Sequence, residues 1–361
     1  MMELLNRAFG FDTETNGFLR LLPKLYRPVY CPWENNLAVK EDGKIVGTVG
    51  IYPLDFTVYG KKLTSAGIGN VAVDASARGR GVMSFLMEET VRHLEAKGYD
   101  FALLGGQRQR YERFGFYGEG EEREFHVRAS NVRYVYGSAP CSIRARKLER
   151  NDPLLPAVIG IHDAQPYRAE RPADSFYDVL CSWESVPYVF LKGEEPVGYC
   201  VRKDDEIREP VLSDPADVCD AVRSLMGDGT LRVFVPPYET RMRLALSAFA
   251  ESETVTQWEK MLVLRWLPVL SAAFCLRAES LPLDDGVLTL QVMDDLLTFT
   301  VKDGKSAVRK ARRGEVPLLL LDRAGAMAFF FGQECGERLS LASPARWWFP
   351  LSLPARMADH V

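Results

Sequence analysis

The stretch from residue 69 to residue 104 constrains the fold of this chain more than any other. An apolar strand pattern at 69–73 leads into a turn rich in glycine and arginine, and a helix pattern then runs from Val82 to Lys97. Gly98 is a predicted helix C-cap, and a short apolar strand follows at 101–104. A strand, a helix and a strand in this order predict an α/β layer built around one sheet.

The turn before the helix has the physical properties of an anion site. Glycines at 79 and 81 let the backbone approach a ligand closely. The free N–H groups of a first helical turn point the same way, and the helix dipole adds about 0.3–2 kcal/mol for a bound anion. Arg78 and Arg80 add positive charge. The turn matches neither a Walker A loop nor a dinucleotide-binding fingerprint, so an ordinary basic loop remains the alternative to a pyrophosphate site.

Val-x-Val, then Arg-x-x-Gly-x, then a long helix resembles the acetyl-CoA-binding motif of the GCN5-related N-acetyltransferases (GNAT). Met83 stands where that family usually has glycine or alanine, and this departure resembles the Eis-like branch (enhanced intracellular survival). The resemblance implies that the strand backbone pairs with the pantetheine arm of acetyl-CoA and that amides from Gly79 to Ser84 hold its pyrophosphate. The predicted cofactor-binding residues are Val71, Ala72, Val73, Arg78, Gly79, Arg80, Gly81, Val82, Met83 and Ser84, with Gly106 and Gln107 from the next motif.

A second motif, Tyr-x-Arg-Phe-Gly-Phe at 111–116, follows the strand at 101–104 and resembles the Eis-like form of the next acetyltransferase signature. Expulsion of a CoA thiolate, with a thiol pKa near ~8–9, is easier when a neighbouring group protonates it. The resemblance makes Tyr111 that general acid. The alternative for Tyr111 is an aromatic side chain that stabilises a turn, and Phe114 and Phe116 are predicted core residues.

A proton acceptor is harder to find. The histidines at 93, 126, 162 and 360 lie in no recognisable catalytic pattern and are predicted to be structural. In Eis-like proteins the terminal carboxylate reaches the active site, and that position belongs to Val361. An α-carboxyl with a pKa near ~3.5 is a weak base. It would need burial to raise its pKa, or it would act through a water or by holding a cationic amine. A frayed, functionless terminus is the alternative.

The pattern divides the chain into three predicted units, at 1–138, 139–266 and 267–361, of one mixed α/β (α+β) fold class. The first contains strand pairs at 36–40/44–52 and 55–59/62–68. The acidic run at 119–124 is a solvated loop or an attractor for a cationic amine. The resemblance implies an N-acetyltransferase domain, a degenerate GNAT-like domain without a CoA site, and a sterol-carrier-protein-like domain. It also implies a hexamer and an amine acceptor, either an aminoglycoside-like polyamine or a lysine side chain.

Composition bounds the partners and the location. With 45 basic and 49 acidic residues among 361, the chain has no electrostatic reason to bind nucleic acid or anionic lipid. Its seven cysteines are scattered without a CxxC pair, which argues against a zinc site or a disulfide framework and favours reduced thiols. Neither a signal peptide nor a membrane span is apparent, so a cytoplasmic location is expected.

The predicted protein is an acetyltransferase that uses acetyl-CoA and no metal. The alternative is a non-catalytic CoA- or lipid-binding module, whose lipid cavity would be lined by the apolar run at 326–331 and by Trp347 and Trp348. Core packing is the favoured interpretation of these residues.

Overall fold

The computed structural model describes residues 1–11, 17–30, 32–119, 122–256, 259–332, 339 and 343–361. Two of the seven cysteines, Cys31 and Cys335, and Glu121 of the acidic run lie outside these residues. The other five cysteines, at 141, 181, 200, 219 and 275, are free thiols. Within the described part of the chain, no helix is both long enough and apolar enough to span a bilayer.

The first part of the chain combines short helices with a meander of strands. Its elements are α1 (Met2–Phe9), α2 (Gly17–Leu21), α3 (Pro23–Tyr26), β1 (Asn36–Glu41), β2 (Lys44–Pro53), β3 (Phe56–Val58), β4 (Lys61–Leu63), β5 (Ser65–Val73), α4 (Val82–Lys97), β6 (Phe101–Leu104), α5 (Arg108–Tyr111) and β7 (Tyr117–Glu119). The predicted helix at 82–97 is confirmed, and Gly98 ends it with a left-handed φ of 74°. The single strand predicted at 62–68 is wrong. The strand is interrupted at Thr64, whose amide donates to the Asp100 carboxylate at 2.9 Å instead of to a strand partner.

The middle part adds a second layered unit. Its elements are β8 (Glu122–Arg128), α6 (Ala129–Tyr136), β9 (Arg144–Lys147), α7 (Leu155–Asp163), β10 (Tyr167–Ala169), α8 (Phe176–Leu180), β11 (Val186–Lys192), β12 (Glu195–Lys203), β13 (Glu206–Leu212), α9 (Val218–Leu225), β14 (Thr230–Val235), α10 (Thr240–Ser247), β15 (Ser252–Thr256) and β16 (Glu259–Val263). The interpretation of the acidic run as a solvated loop is wrong from residue 122 onward. Glu124 lies buried in β8 with its carboxylate 3.1 Å from Arg232.

The last part consists of α11 (Trp266–Ser280), β17 (Gly286–Val292), β18 (Asp295–Lys302), β19 (Lys305–Lys310), β20 (Leu319–Leu321) and α12 (Arg323–Phe331), followed by a tail that ends at Val361. Phe330 and Trp348 are fully buried against other aromatic rings, so the interpretation of this apolar run as core is confirmed. Trp347 is two-thirds exposed.

Two large sheets exchange strands across the boundary predicted at residue 138. The first sheet has the order β1-β2-β5-β6-β16-β7, so β16 returns from the middle part to lie between β6 and β7. The second has the order β15-β8-β14-β13-β12-β11-β9, and its strand β8, at residues 122–128, precedes the predicted boundary. A small sheet, β10-β3-β4, joins the two parts, and β19-β18-β17-β20 forms the last sheet. The mixed α/β class is confirmed, while the three-domain division stays a prediction.

Helix α4 lies on the first sheet through its apolar face. Leu86 and Leu94 are fully buried there, and a buried leucine of this kind contributes about 1.5–3 kcal/mol. The helix approaches β2 very closely at Gly47. A Cβ at that position would lie 2.6 Å from a methyl carbon of Val82. This close contact fixes the start of α4 beside the end of β5.

Candidate active site

The first sheet opens beside α4 because β5 and β6 separate. The two strands pair in parallel from Ser65 opposite Phe101 to Ile68 opposite Leu104, and their pairing ends there. On its other side β5 stays paired with β2 as far as Val73. In the described structure, the edge of β5 that faces away from β2 therefore has no strand partner over 69–73. Its N–H and C=O groups can bind another extended chain.

A bulge in β5 accompanies the opening. Ala72 pairs with Thr48 and Gly69 pairs with Gly50, so two residues of β5 stand opposite one residue of β2. Asn70 is one of the two, and its φ of 56° lies in the left-handed region that non-glycine residues seldom adopt. The bulge changes the direction of β5 near the point where its pairing with β6 ends.

A cleft of about 770 Å³ lies along the open end of β5 and reaches the start of α4. Gly81 is the N-cap of α4 with a φ of 80°. Among the residues that the structure describes, no side chain caps the helix, and the first turn of α4 has no acidic residue. The first N–H groups of α4 are therefore available to an anion, as at other phosphate-binding helix starts. The cleft is lined by Val71, Ala72, Val73, Arg78, Gly79, Gly81, Val82, Met83 and Ser84, together with Ala8, Phe9, Ala77 and Arg110.

Nine of the twelve predicted cofactor-binding residues line this cleft. Arg80 does not, because its guanidinium binds the Glu41 carboxylate through two hydrogen bonds of 2.7 and 2.8 Å. Gly106 lies against the ring of Tyr111 and Gln107 is the N-cap of α5, and neither lines the cleft. Ala77 and the three residues Ala8, Phe9 and Arg110 line the cleft but were not predicted. Ala77 directly precedes the turn at 78–81, whereas the other three come from α1 and α5, and no local motif links those helices to that turn.

Tyr111 ends α5 and is only 8% exposed. It belongs to the core cluster that contains Ile68, Leu104 and Phe116, so Phe116 is confirmed as core. Burial raises the pKa of Tyr111 and the charge of Arg110 opposes this in part. The phenol is therefore protonated at neutral pH and can act as a proton donor. Gly106 allows the ring to pack closely, since a Cβ there would lie 3.0 Å from the ring carbon Cε2 of Tyr111.

The carboxyl group of Val361 lies against β5 at the start of the opening. A Cβ on Gly69 would lie 2.9 Å from the carboxyl carbon and 3.1 Å from the carbonyl oxygen of Val361. A Cβ on Gly67 would lie 2.8 Å from a methyl carbon of Val361. The cleft begins two residues further along β5, at Val71. The structure thus brings the end of the chain to the same strand as the cleft.

A buried polar cluster surrounds the bulge and was not predicted. The Tyr26 hydroxyl donates to the Asn70 side-chain oxygen at 2.7 Å. The Asn70 amide donates to the Tyr52 hydroxyl and to the Asn36 side-chain oxygen. Burial raises the pKa of both tyrosines, which keeps them as neutral hydrogen-bonding groups. The only sequence signal was one asparagine within an otherwise apolar strand.

The described residues contain no group of three or more histidine, cysteine or carboxylate side chains placed to hold a metal ion. Among the histidines, His162 and His360 are buried, and burial lowers their pKa values to about 4 and about 3. His360 lies next to Val361, with its Nε2 atom 3.2 Å from the Glu259 carboxylate.

The residues that line the cleft lie in a part of the chain that is similar to known proteins. Residues 1–119 match the family model described as an acetyltransferase (GNAT) domain. The chain is 31% identical over 121 residues to a protein of Escherichia coli K12 named "Uncharacterized N-acetyltransferase YhbS". The aligned residues make up 31% of this chain and 64% of that relative, which is less than two thirds of its length.

Solved structures resemble the chain over almost its whole length. A GCN5-related N-acetyltransferase from Kribbella flavida has a TM-score of 0.66 at 16% identity, covering 98% of this chain and 94% of that one. Eis1 from Mycobacterium abscessus has a TM-score of 0.59 at 15% identity, covering 99% and 96%. At these identities the likeness concerns the fold. Residues 1–119 are therefore similar in sequence to the acetyltransferase (GNAT) domain, within a chain that has the mixed α/β fold of those two structures.

Proposed function

We propose that the protein is an acetyl-CoA-dependent N-acetyltransferase that transfers acetyl to a primary amine by direct attack. The observation that carries the proposal is the cleft that joins an unpaired edge of β5 to the uncapped start of α4. The pantetheine arm of acetyl-CoA is an extended chain with two amides, which suits a free strand edge. Its pyrophosphate suits the N–H groups of a helix start.

The reaction needs two proton transfers. The amine nitrogen attacks the thioester carbonyl carbon, the carbon–sulfur bond breaks, and the CoA sulfur takes the electron pair. We propose that the Tyr111 hydroxyl donates the proton that the sulfur receives. The phenol regains a proton from solvent afterwards. The high pKa that burial gives Tyr111 supports this assignment, because the phenol holds its proton until the thiolate forms.

We propose that the carboxylate of Val361 accepts the proton that the amine loses, in a chain that ends at that residue. Its carbon lies against Gly69, where the opening between β5 and β6 begins. The ordinary pKa of a terminal carboxyl makes it a weak base, so its larger contribution is to attract and orient a cationic amine. A residue added after Val361 should impair turnover, while the same residue added before Met1 should not.

The acceptor and the assembly that we propose rest on the resemblance of the two motifs, at 71–84 and 111–116, to the Eis-like branch. The acceptor we propose is an amine-bearing small molecule or a peptide, either an aminoglycoside-like polyamine or a lysine side chain. The assembly we propose is a hexamer of cytoplasmic chains, with a sterol-carrier-protein-like unit at 267–361. Light scattering on the purified protein measures the assembly, and a monomer would exclude the hexamer.

A panel of amines tests the activity. The protein is mixed with acetyl-CoA and, in turn, an aminoglycoside, a linear polyamine and a lysine-containing peptide, and free thiol is followed. Calorimetry measures acetyl-CoA affinity in parallel. We expect amine-dependent thiol release with at least one class. Tight acetyl-CoA binding without release for any amine would favour the non-catalytic CoA-binding module, and absence of binding would remove the assignment of the cleft.

A further inference from the structure

Lys24, near the start of the sequence, binds the backbone close to the end of the chain. Its Nζ atom donates to the carbonyl oxygen of Ala358 at 2.6 Å and to that of His360 at 2.7 Å. One amino group therefore bridges the two carbonyls on either side of Asp359. Lys24 lies on α3, whose neighbouring Tyr26 binds Asn70 in the β5 bulge. The same short helix thus contacts both the bulge and the tail.

Trp183 makes a second contact with the tail. Its indole Nε1 donates to the carbonyl oxygen of His360 at 3.1 Å. Trp183 and Glu184 have φ values of 62° and 60°, in the left-handed region. Non-glycine residues adopt this region rarely, and they do so where surrounding contacts impose it. The middle part of the chain therefore directs a rigid donor at the residue before Val361.

A buried ion pair completes the attachment. Arg171 binds Asp359 through two hydrogen bonds of 2.7 and 2.8 Å and binds Glu209 through two more of 2.7 and 2.9 Å. The three side chains are at most 2% exposed. Burial works to raise the pKa of Asp359, but the Arg171 guanidinium outweighs it and holds that pKa below its ordinary value. The tail is thus bound to the middle part of the chain by a pair that stays ionised.

Lys24 suits this position because of its charge state. Asp359, Arg171 and Glu209 are the charged groups that act on it. Burial lowers the pKa of Lys24 to about 7, with Asp359 opposing the change. Either form of the amine has at least two N–H donors and can reach both carbonyls. A partly neutral amine competes less than a permanent cation would for the carboxylate that an ammonium substrate needs.

We propose that Lys24 is a positioning residue, which holds residues 358–360 so that the carboxyl group of Val361 stays against Gly69 at the active site. Trp183 shares this role through the His360 carbonyl. The inference rests on the proposed function, because it gives the carboxylate a part in the reaction. It adds that α3, far from the cofactor motifs in sequence, sets the efficiency of the amine step.

Two substitutions test the role. Lys24→Met keeps an apolar side chain of similar length and removes both hydrogen bonds, and Trp183→Phe removes one donor and keeps a ring. Lys62→Met, at an exposed lysine of β4, is the matched control. We expect Lys24→Met to lower kcat/KM for the amine by roughly 10–100-fold and Trp183→Phe to lower it less, since a displacement near 1 Å costs on the order of 100-fold. The Kd for acetyl-CoA should stay within about twofold of wild type, because neither side chain lines the cleft.

A second measurement does not depend on activity. Carboxypeptidase removal of Val361, followed by mass spectrometry, reports how firmly the tail is held. We expect trimming to be at least about tenfold faster in Lys24→Met than in wild type or Lys62→Met. In a chain that lacks Val361, Lys24→Met should cause no further loss of turnover, because the two changes act through one group.

The outcomes separate the two proposals. Wild-type turnover together with wild-type trimming in Lys24→Met would overturn the positioning role, as would losses that multiply with the removal of Val361. If the wild-type protein acetylates no amine, the proposed function fails, and trimming alone then decides whether Lys24 holds the tail. If Lys24→Met does not fold, Trp183→Phe decides by the same measurements.

Discussion

Replacing Gly69 with alanine tests whether the position of the terminal carboxyl matters for turnover. The added Cβ would lie 2.9 Å from the carboxyl carbon of Val361. Carbon atoms in favourable contact are about 3.5–4.0 Å apart, so the carboxyl must retreat by roughly 0.5–1 Å. The φ of Gly69 lies outside the left-handed region, so alanine meets no backbone penalty there. The substitution therefore moves one group and leaves the strand in place.

The expected loss follows from that displacement. A shift of about 1 Å in a positioned group can cost on the order of 100-fold in rate, so we expect kcat to fall by roughly 10–100-fold. This corresponds to about 1.4–2.7 kcal/mol in the activation barrier. Gly67→Ala is the matched control, since its Cβ meets a methyl carbon of Val361 and not the carboxyl. A rotamer change at a cost of about 0.5–1.5 kcal/mol relieves that contact, so kcat should stay within about threefold.

The assay measures kcat by thiol release, the Kd for acetyl-CoA by calorimetry, and thermal stability for all three proteins. We expect the two variants to bind acetyl-CoA like wild type, because the cleft begins at Val71. The reasoning is refuted if Gly69→Ala and Gly67→Ala turn over equally fast, whether both retain wild-type activity or both lose it. Either result would mean that the carboxyl of Val361 has no positional role.

Three further predictions address the cofactor site and the buried histidines. Tyr111→Phe should lower kcat by about 100-fold or more with the Kd for acetyl-CoA within about twofold, measured by thiol release and calorimetry, and an unchanged kcat would exclude it as the acid. Arg78→Gln should weaken acetyl-CoA binding by about fivefold or more and Arg80→Gln hardly at all, because only Arg78 lines the cleft; equal losses would contradict this. His162 and His360 have pKa values lowered to about 4 and about 3, whereas both protonate near 6.5 once unfolded. The unfolded state therefore binds more protons below pH 6.5, and the free energy of unfolding should fall by at most about 2.7 kcal/mol per pH unit toward pH 4. A flat profile in denaturant titrations at pH 7, 6 and 5 would contradict it.

The parts of the fold that sequence predicts are those fixed by local physics. The amphipathic pattern of α4 and the glycine after it specify the helix at 82–97 to the residue. The turn at 78–81 and the strand at 71–73 are contiguous with α4, so their grouping around one cleft follows from chain geometry. Arg80 shows the limit of this reasoning. It has the right charge in the right loop, but a carboxylate on β1 binds its guanidinium.

Elements whose surroundings are set by distant residues were not predictable. Helix α11 is apolar on most of its faces because other elements cover it, so it lacks the one-sided pattern of a surface helix. Strand β16 enters the first sheet between β6 and β7, about 155 residues after β6 along the chain. The contact between Lys24 and His360 joins residues 336 positions apart. No spacing rule reaches so far, and only the resemblance to a family suggested that the tail belongs at the site.

The bulge at Asn70 explains why the candidate cofactor cleft and the chain terminus can lie on one strand. At Gly69, β5 is close to the end of its pairing with β6, and the absence of a side chain leaves room for the Val361 carboxyl. At Asn70 the left-handed backbone turns the strand, and the side chain anchors it to Tyr26. From Val71 onward the freed edge lines the cleft. Because α3 holds both Asn70, through Tyr26, and the tail, through Lys24, a shift of α3 would move both together. The relative placement of the proposed acetyl-donor site and the proposed proton acceptor is thus set by one short helix that contains neither.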